Sequence, residues 1–295
     1  MYDLNSCYLA KSVDDAIRAL EANSDAVVIS GGTDVLIKVR EGKLAGCDLV
    51  SIHEVEALMG IRMEADQSIV IGSASTFSQV VNDPIIQKHL PMLGEAADQV
   101  GGPQIRNMGT IGGNICNGVT SADCGAPLCA MNAVLETEGR EGMRRIPIGQ
   151  WYVGPGITVR KHEEILTGIR ISKEDYQGYA GHYIKYGKRD AMEIATLGCA
   201  VWLKLSEDKK RLEDIRLAFG VAAPVPVRCR KTEEQLRGRE LSPKLFEMIG
   251  KGALEEVTPR SSWRASREFR LHLAEELAKR AFRQAVLNGG GVELA

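Results

Sequence analysis

A soluble globular protein of roughly two domains that mixes strands with helices is what this sequence predicts, on three observations. The chain has 295 residues, 44% of them hydrophobic and 26% charged, which is enough apolar mass for a large buried core in a soluble globular protein. Short runs of β-branched and aliphatic residues that stop at glycine or polar residues recur along it, as strands do. Other stretches carry apolar residues at helical spacing behind recognisable start signals.

Ser12-Val13-Asp14-Asp15 reads as a capping box, and Ala16, Ile17, Leu20 and Ala22 then mark an amphipathic helix. Ala26-Val27-Val28-Ile29 follows as a strand that runs into Ser30-Gly31-Gly32-Thr33-Asp34, after which Val35-Leu36-Ile37 restores apolar character. Leu49-Val50-Ser51-Ile52 and Ser68-Ile69-Val70-Ile71, the latter halted by Gly72, predict further strands. A helix is expected over Leu93 to Val100, ended by Gly101-Gly102-Pro103. Gln104 to Asn107 then leads into Thr110-Ile111-Gly112-Gly113-Asn114, and a polar, turn-rich segment follows. Ile215 to Gly220 reads as a strand and Pro224 to Arg228 as an extended connector. Ser261 to Arg267 opens a long amphipathic helix with Phe269, Leu273 and Leu277 at i, i+4 and i+8, a stripe read first as core-facing and second as a subunit interface.

Composition excludes several partners. With Lys+Arg 37 against Asp+Glu 39 the net charge is -2, so the chain carries no electrostatic footprint for nucleic acid or anionic lipid. Met1 to Ser24 mixes charged and apolar residues and offers neither a signal peptide nor a membrane anchor, which makes the cytoplasm the expected location. Seven cysteines without a C-x-x-C pair argue against a disulfide framework. Cys116, Cys124 and Cys129 cluster in sequence but match no metal or iron–sulfur spacing, and the cysteines are read mostly as small buried hydrophobes. The five histidines, His53, His89, His162, His182 and His272, show no ligand spacing either.

The chemistry lies in the two glycine pairs, about eighty residues apart. A Gly-Gly step lets backbone N–H groups approach an anion without a Cβ in the way, and Thr33 and Thr110 add hydroxyl donors. Taken singly, each pair is better read as an ordinary tight turn; together they suggest a phosphate cradle. Neither G-x-G-x-x-G nor G-x-x-x-x-G-K-S/T occurs, so the Rossmann and P-loop modes lack their signatures and a different nucleotide-binding fold is required.

Four strings carry a resemblance that spans nearly the whole chain: Ser30-Gly-Gly-Thr-Asp-Val-Leu36, Gly102-Pro-Gln-Ile-Arg-Asn107, Thr110-Ile-Gly-Gly-Asn-Ile-Cys-Asn117 and Tyr183-Ile-Lys-Tyr-Gly-Lys-Arg-Asp190. In their order and spacing the sequence resembles the FAD-binding subunits of bacterial molybdenum hydroxylases, most closely those of xanthine dehydrogenase. The resemblance implies a vanillyl-alcohol oxidase-like FAD-binding fold of two α/β subdomains over residues 1–176, with a boundary near 56. A C-terminal α+β domain of the CO dehydrogenase flavoprotein type would follow over 177–295.

It also implies individual roles. Val27, Val28, Ile29, Ser30, Gly31, Gly32, Thr33 and Asp34 would form the first pyrophosphate loop, and Gly109, Thr110, Ile111, Gly112, Gly113 and Asn114 the second. Asp123 matches an acidic contact to the ribityl or ribose hydroxyls, with a turn-forming aspartate as the competing reading. Leu166 matches a position against the isoalloxazine and Val100 aligns where some relatives place an aromatic, although both residue types are more often core. Lys185 matches a cation near the flavin pyrimidine edge, where it would stabilise negative charge on the reduced ring; a solvated strand lysine is the alternative. Gly187 to Glu193 corresponds to a mobile loop that influences nicotinamide access, or is simply a charged surface loop.

No complete ferredoxin-type cysteine spacing and nothing resembling a molybdenum-cofactor site is present, so the chain is not expected to oxidise an organic substrate alone. The resemblance implies a large subunit with the molybdenum cofactor and a small subunit with 2Fe–2S clusters, in a heterotrimer present once or doubled. Electrons from a purine would reach FAD here and leave as hydride to NAD, with the flavin supplying the chemistry and no protein side chain acting as a catalytic residue. The competing readings are a self-sufficient flavin oxidase of the same broad fold, an FAD subunit serving another heterocycle or aldehyde, and a nucleotide-binding assembly subunit without flavin function.

Overall fold

The computed structural model describes residues 3–292, so the outermost residues of the two expected domains, 1–2 and 293–295, lie outside the described residues. The first layer comprises β1 (Leu4–Leu9), α1 (Val13–Ala22), β2 (Val27–Ile29), α2 (Val35–Arg40) and β3 (Cys47–Ser51). Its strands form a parallel three-stranded sheet in the order β1-β3-β2. Ser12 caps α1 by accepting the Asp15 N–H at 3.0 Å, and the helix buries Ala16, Ile17 and Leu20. Ala22, at the end of the expected stripe, is exposed.

The second layer begins with β4 (Ile61–Met63) and β5 (Ile69–Gly72) and continues through helices α3 (Phe77–Asn82), α4 (Pro84–His89), α5 (Pro91–Asp98), α6 (Pro103–Met108), α7 (Ile111–Asn117) and α8 (Gly125–Ala130). After these come β6 (Val134–Gly139), β7 (Gly142–Pro147), the small hairpin β8 (Tyr152–Gly154) and β9 (Ile157–Thr158), then β10 (Ile165–Ile171) and α9 (Lys173–Tyr176). The sheet runs β4-β5-β10-β6-β7, antiparallel throughout. Ile69, Ile71, Leu135 and Ile169 from its strands meet Phe77, Ile86, Leu93, Ile111 and Leu128 from the helices in one core. The segment read as a connector, Gln104 to Asn107, lies within α6, and the second glycine pair lies in the first turn of α7.

The third layer is an antiparallel sheet of β11 (Tyr179–Tyr186), β12 (Leu197–Leu205), β13 (Leu212–Gly220) and β14 (Val227–Arg228), followed by α10 (Arg230–Leu236), α11 (Pro243–Glu256) and α12 (Arg267–Asn288). Both faces of this sheet are buried, and the two-residue period of the strand divides them. Leu197, Cys199, Val201, Leu203 and Leu205 of β12 pack with Leu273, Leu277 and Phe282 of α12, while Ala200 and Trp202 join the core of the second layer. Phe269 departs from its expected stripe: it is 40% exposed in the first turn of α12 and meets the Tyr186 ring edge-on. No helix among the described residues is long and apolar enough to cross a membrane.

A buried polar clamp holds the second and third layers together. Arg216 on β13 donates to Asp175 at 2.8 Å, to the Ala130 carbonyl at 3.4 Å and to the Tyr179 hydroxyl at 2.9 Å, with its guanidinium 4.6 Å from the Tyr179 ring centroid. The Tyr179 hydroxyl in turn donates to Asp214 at 2.6 Å, and the Trp202 indole donates to the Asp175 carbonyl at 2.8 Å. Removing one member of such a set leaves an uncompensated buried charge. Arg216→Ala is therefore expected to destabilise the chain by about 3–5 kcal/mol in urea unfolding; a loss under about 1 kcal/mol would show that the layers are joined by apolar packing alone.

Candidate functional site

β2 ends at Ile29 and hands the chain to Gly31-Gly32, where Gly32 takes φ 72, a left-handed conformation that glycine adopts without a Cβ penalty. The chain then enters α2 with no side-chain cap from Asp34. The N–H groups of Gly31, Gly32, Thr33 and Asp34 donate to no backbone or side-chain acceptor among the described residues. A run of unengaged backbone donors is what an anion requires. Gly31 is fixed by a further constraint: a Cβ there would stand 1.7 Å from the Met108 carbonyl oxygen, so the two loops touch backbone to backbone. The Thr110 hydroxyl donates to Ser30 Oγ at 3.3 Å across the same seam.

The second glycine pair is built differently. Ile111 N–H donates to the Ser75 carbonyl at 3.0 Å, Gly112 N–H to the Ser73 carbonyl at 2.9 Å, Gly113 N–H to Thr110 Oγ1 at 3.1 Å and Asn114 N–H to the Thr110 carbonyl at 3.0 Å. Its donors are thus committed to the fold. Close approach requires glycine at Gly112, where a Cβ would lie 2.5 Å from the Ser73 carbonyl oxygen, and at Gly109 just before the pair, where one would lie 2.9 Å from the Phe77 ring. Beside this buttress, Asn114 Oδ1 and Ser73 Oγ are buried with no hydrogen-bond partner among the described residues. Buried polar atoms without partners are costly and call for one.

Asp123 sits in the turn between α7 and α8. Val221, a β-branched residue held at φ 65, donates its N–H to the Thr120 carbonyl at 3.1 Å and so pins this turn to the end of β13. The Asp123 carboxylate receives the Tyr183 hydroxyl at 3.0 Å on Oδ1 and the Lys185 ammonium at 2.9 Å on Oδ2; Lys185 also donates to the Gln99 carbonyl at 2.7 Å. Tyr183 and Lys185, two residues apart on β11, share the face turned toward α5 and α8, whereas Ile184 packs against the α11–α12 side. Burial pushes the Asp123 carboxyl up despite the Lys185 ammonium, and it pushes the Tyr183 phenol well above its usual range.

Lys185 therefore belongs to a buried ion pair and is no solvated strand lysine. It also lines a cleft of about 300 Å³ with Gln99, Tyr186, Gly187, Met192 and Glu193. The loop from Gly187 to Glu193 is closed by an Arg189–Glu193 ion pair at 2.9 Å, and Met192 leans on Gly102.

Leu166 is buried in β10 opposite Thr137 and belongs to the core of the second layer, against which Val100 packs from a partly buried position. The structure thus joins Ser30 and Gly31 with Gly109 and Thr110, and separately joins Asp123 with Lys185. Three contributors escaped the sequence: Tyr183, whose place two residues before Lys185 was visible although its partner was not; Gln99, which acts through a carbonyl; and Val221, whose backbone strain leaves no mark in composition.

Comparison with known proteins identifies the family. Residues 2–173 match the family described as FAD binding domain in molybdopterin dehydrogenase, and residues 182–285 match the CO dehydrogenase flavoprotein C-terminal domain. The chain is 43% identical over 291 residues to the putative xanthine dehydrogenase FAD-binding subunit of Escherichia coli K12, covering 99% of both chains. It is 30% identical over 276 residues to the carbon monoxide dehydrogenase medium chain of Hydrogenophaga pseudoflava, covering 93% of this chain and 94% of that one. A solved structure of carbon monoxide dehydrogenase from Hydrogenophaga pseudoflava lacking the Mo-pyranopterin moiety superposes with a TM-score of 0.92 at 29% identity, over 98% of this chain and 99% of that one. Both domain matches, together with 43% identity over 99% of the chain, make this chain a member of the FAD-binding subunits of the molybdenum hydroxylase family, an oxidoreductase subunit with an FAD-binding domain.

Proposed function

We propose that this chain is the FAD subunit of a xanthine dehydrogenase, taking electrons from 2Fe–2S clusters on a small partner subunit and passing them to NAD. The molybdenum cofactor would reside on a large partner subunit, the three subunits forming a heterotrimer, single or doubled, in the cytoplasm. The observation that carries the reading is the row of open N–H groups from Gly31 to Asp34, set where a glycine is sterically required. What supports the purine assignment is the 43% identity to a putative xanthine dehydrogenase subunit, against 30% to the medium subunits of a carbon monoxide dehydrogenase and a nicotine 6-hydroxylase.

The residues present fit FAD. Val27 to Asp34 would hold its diphosphate, with the Thr33 hydroxyl adding a donor to the backbone row. Gly109 to Asn114 would contribute as the buttress behind that row, and the unpartnered Asn114 Oδ1 offers an acceptor to a hydroxyl of the cofactor. Asp123 would set the polarity at the ribityl side through its pair with Lys185, and Leu166 would support the ring from the core. When bound, FAD supplies the junction between one-electron donors and a two-electron acceptor. The protein's task is to bind it, orient it and fix the field around it, and Lys185, buried and paired with Asp123, would be the charge that does so. In this reading residues 1–176 form the FAD-binding domain, divided near 56, and 177–295 the domain that presents β11 to it.

Purified chain is expected to show oxidised-flavin absorbance that NADH bleaches in the absence of oxygen. Flavin that bleaches only with an organic substrate would instead identify a self-sufficient oxidase. Gly31→Ala forces a methyl group into the Met108 carbonyl and is expected to weaken FAD binding about tenfold to a hundredfold in a fluorescence titration; unchanged affinity would mean that the diphosphate does not sit on this loop.

A further inference from the structure

The two oxygens of Asp123 are divided between two donors, the Tyr183 hydroxyl at 3.0 Å and the Lys185 ammonium at 2.9 Å, and Lys185 is held a second time by the Gln99 carbonyl at 2.7 Å. The slot that admits the phenol is specific. Lys185 pairs in register with Gly198 of β12, and a Cβ at Gly198 would lie 2.7 Å from the Tyr183 hydroxyl oxygen. A side chain at that point would push the hydroxyl off its carboxylate. Tyr183 is 2% exposed, so its hydrogen bond to Asp123 Oδ1 lies in a buried, low-dielectric setting.

We infer that Tyr183 is a positioning residue of the flavin site: by fixing one oxygen of Asp123 it holds the carboxylate ionised against Lys185 and so sets the charge presented to the cleft. The inference rests on the proposed flavin site and deepens it. A carboxylate that loses one of two donors in a buried setting takes up a proton more readily. Among the described residues the titratable groups that face Asp123 are Lys185 and Tyr183 from β11 and the adjoining Cys124 thiol at the start of α8, while the Gln99 carbonyl just beyond α5 faces Lys185. With Asp123 neutral, the Lys185 charge is no longer balanced and favours electron density on a reduced ring nearby.

The sign follows. Tyr183→Phe keeps the ring in its slot and removes only the hydroxyl, which raises the Asp123 proton affinity. The neutral form then gains population as pH falls, so the midpoint potential of bound flavin shifts positive, most strongly on the acid side. The experiment is equilibrium reduction of the FAD-loaded chain against redox dyes across pH, for the parent protein, Tyr183→Phe and Gly198→Ala, with bound flavin counted in each. Gly198→Ala displaces the hydroxyl without removing it and is expected to shift the potential in the same direction, which keeps the test open should Tyr183→Phe fail to fold. We expect both variants to bind flavin and to reproduce the positive shift. Bound flavin whose potential and pH dependence coincide with those of the parent protein would overturn the role of Tyr183 alone. Because dyes replace NADH here, a shifted potential in a flavin that NADH cannot reduce would uphold Tyr183 and sink the NAD assignment. A parent chain that takes up no flavin would overturn both.

Discussion

Gly31 lies against the carbonyl of Met108 with no room for a Cβ, and the arrangement of the site depends on that contact. The first loop belongs to a parallel sheet and the second to the helical cover of an antiparallel one, so nothing in the hydrogen-bonding of either sheet joins them. Backbone contact at a glycine, reinforced by the Ser30–Thr110 hydrogen bond, does. The division of labour between the loops follows from this geometry. One glycine pair exposes its donors, and the other turns them inward to hold α7 in place, leaving a rigid floor beneath the open row.

A second constraint places the charged part of the site. The C-terminal sheet is buried on both faces, so each of its strands must satisfy two cores at once, and the side-chain period of two decides which residue serves which. On β11 this leaves Tyr183 and Lys185 facing the helical layer, where the Asp123 turn waits between α7 and α8. The Arg216 clamp fixes the same two layers from the far end of the sheet. Domain packing therefore positions the ion pair: a slip of β11 by one residue would replace Lys185 with Ile184 or Tyr186.

Much of this was legible in the sequence, for reasons that particular residues make plain. Ser12 and its helix, the strand ending at Ile29 and the strand ending at Gly220 announce themselves through local signals that tertiary structure did not override. Helices α6 and α7 were not visible as helices, because at six and seven residues, opened by proline and interrupted by glycines, they are too short to display a period. Phe269 fits the stripe by spacing, but the first turn of α12 lies at the sheet edge, where its partner is the half-exposed Tyr186. The two glycine pairs look alike in sequence, and only the fold shows which keeps its donors free. Lys185 could be singled out in the sequence, but its pairing with Asp123 spans 62 positions and could not be read from spacing.

The central claim is that the open N–H row from Gly31 to Asp34 receives the cofactor's diphosphate. The most direct measurement is a crystal structure of the chain loaded with FAD. The account predicts diphosphate oxygens within hydrogen-bonding distance of those backbone groups, with the Asp123–Lys185 pair retained beside the bound ring. A diphosphate seated elsewhere, with the Gly31 to Asp34 N–H groups bonded only to water, would contradict it.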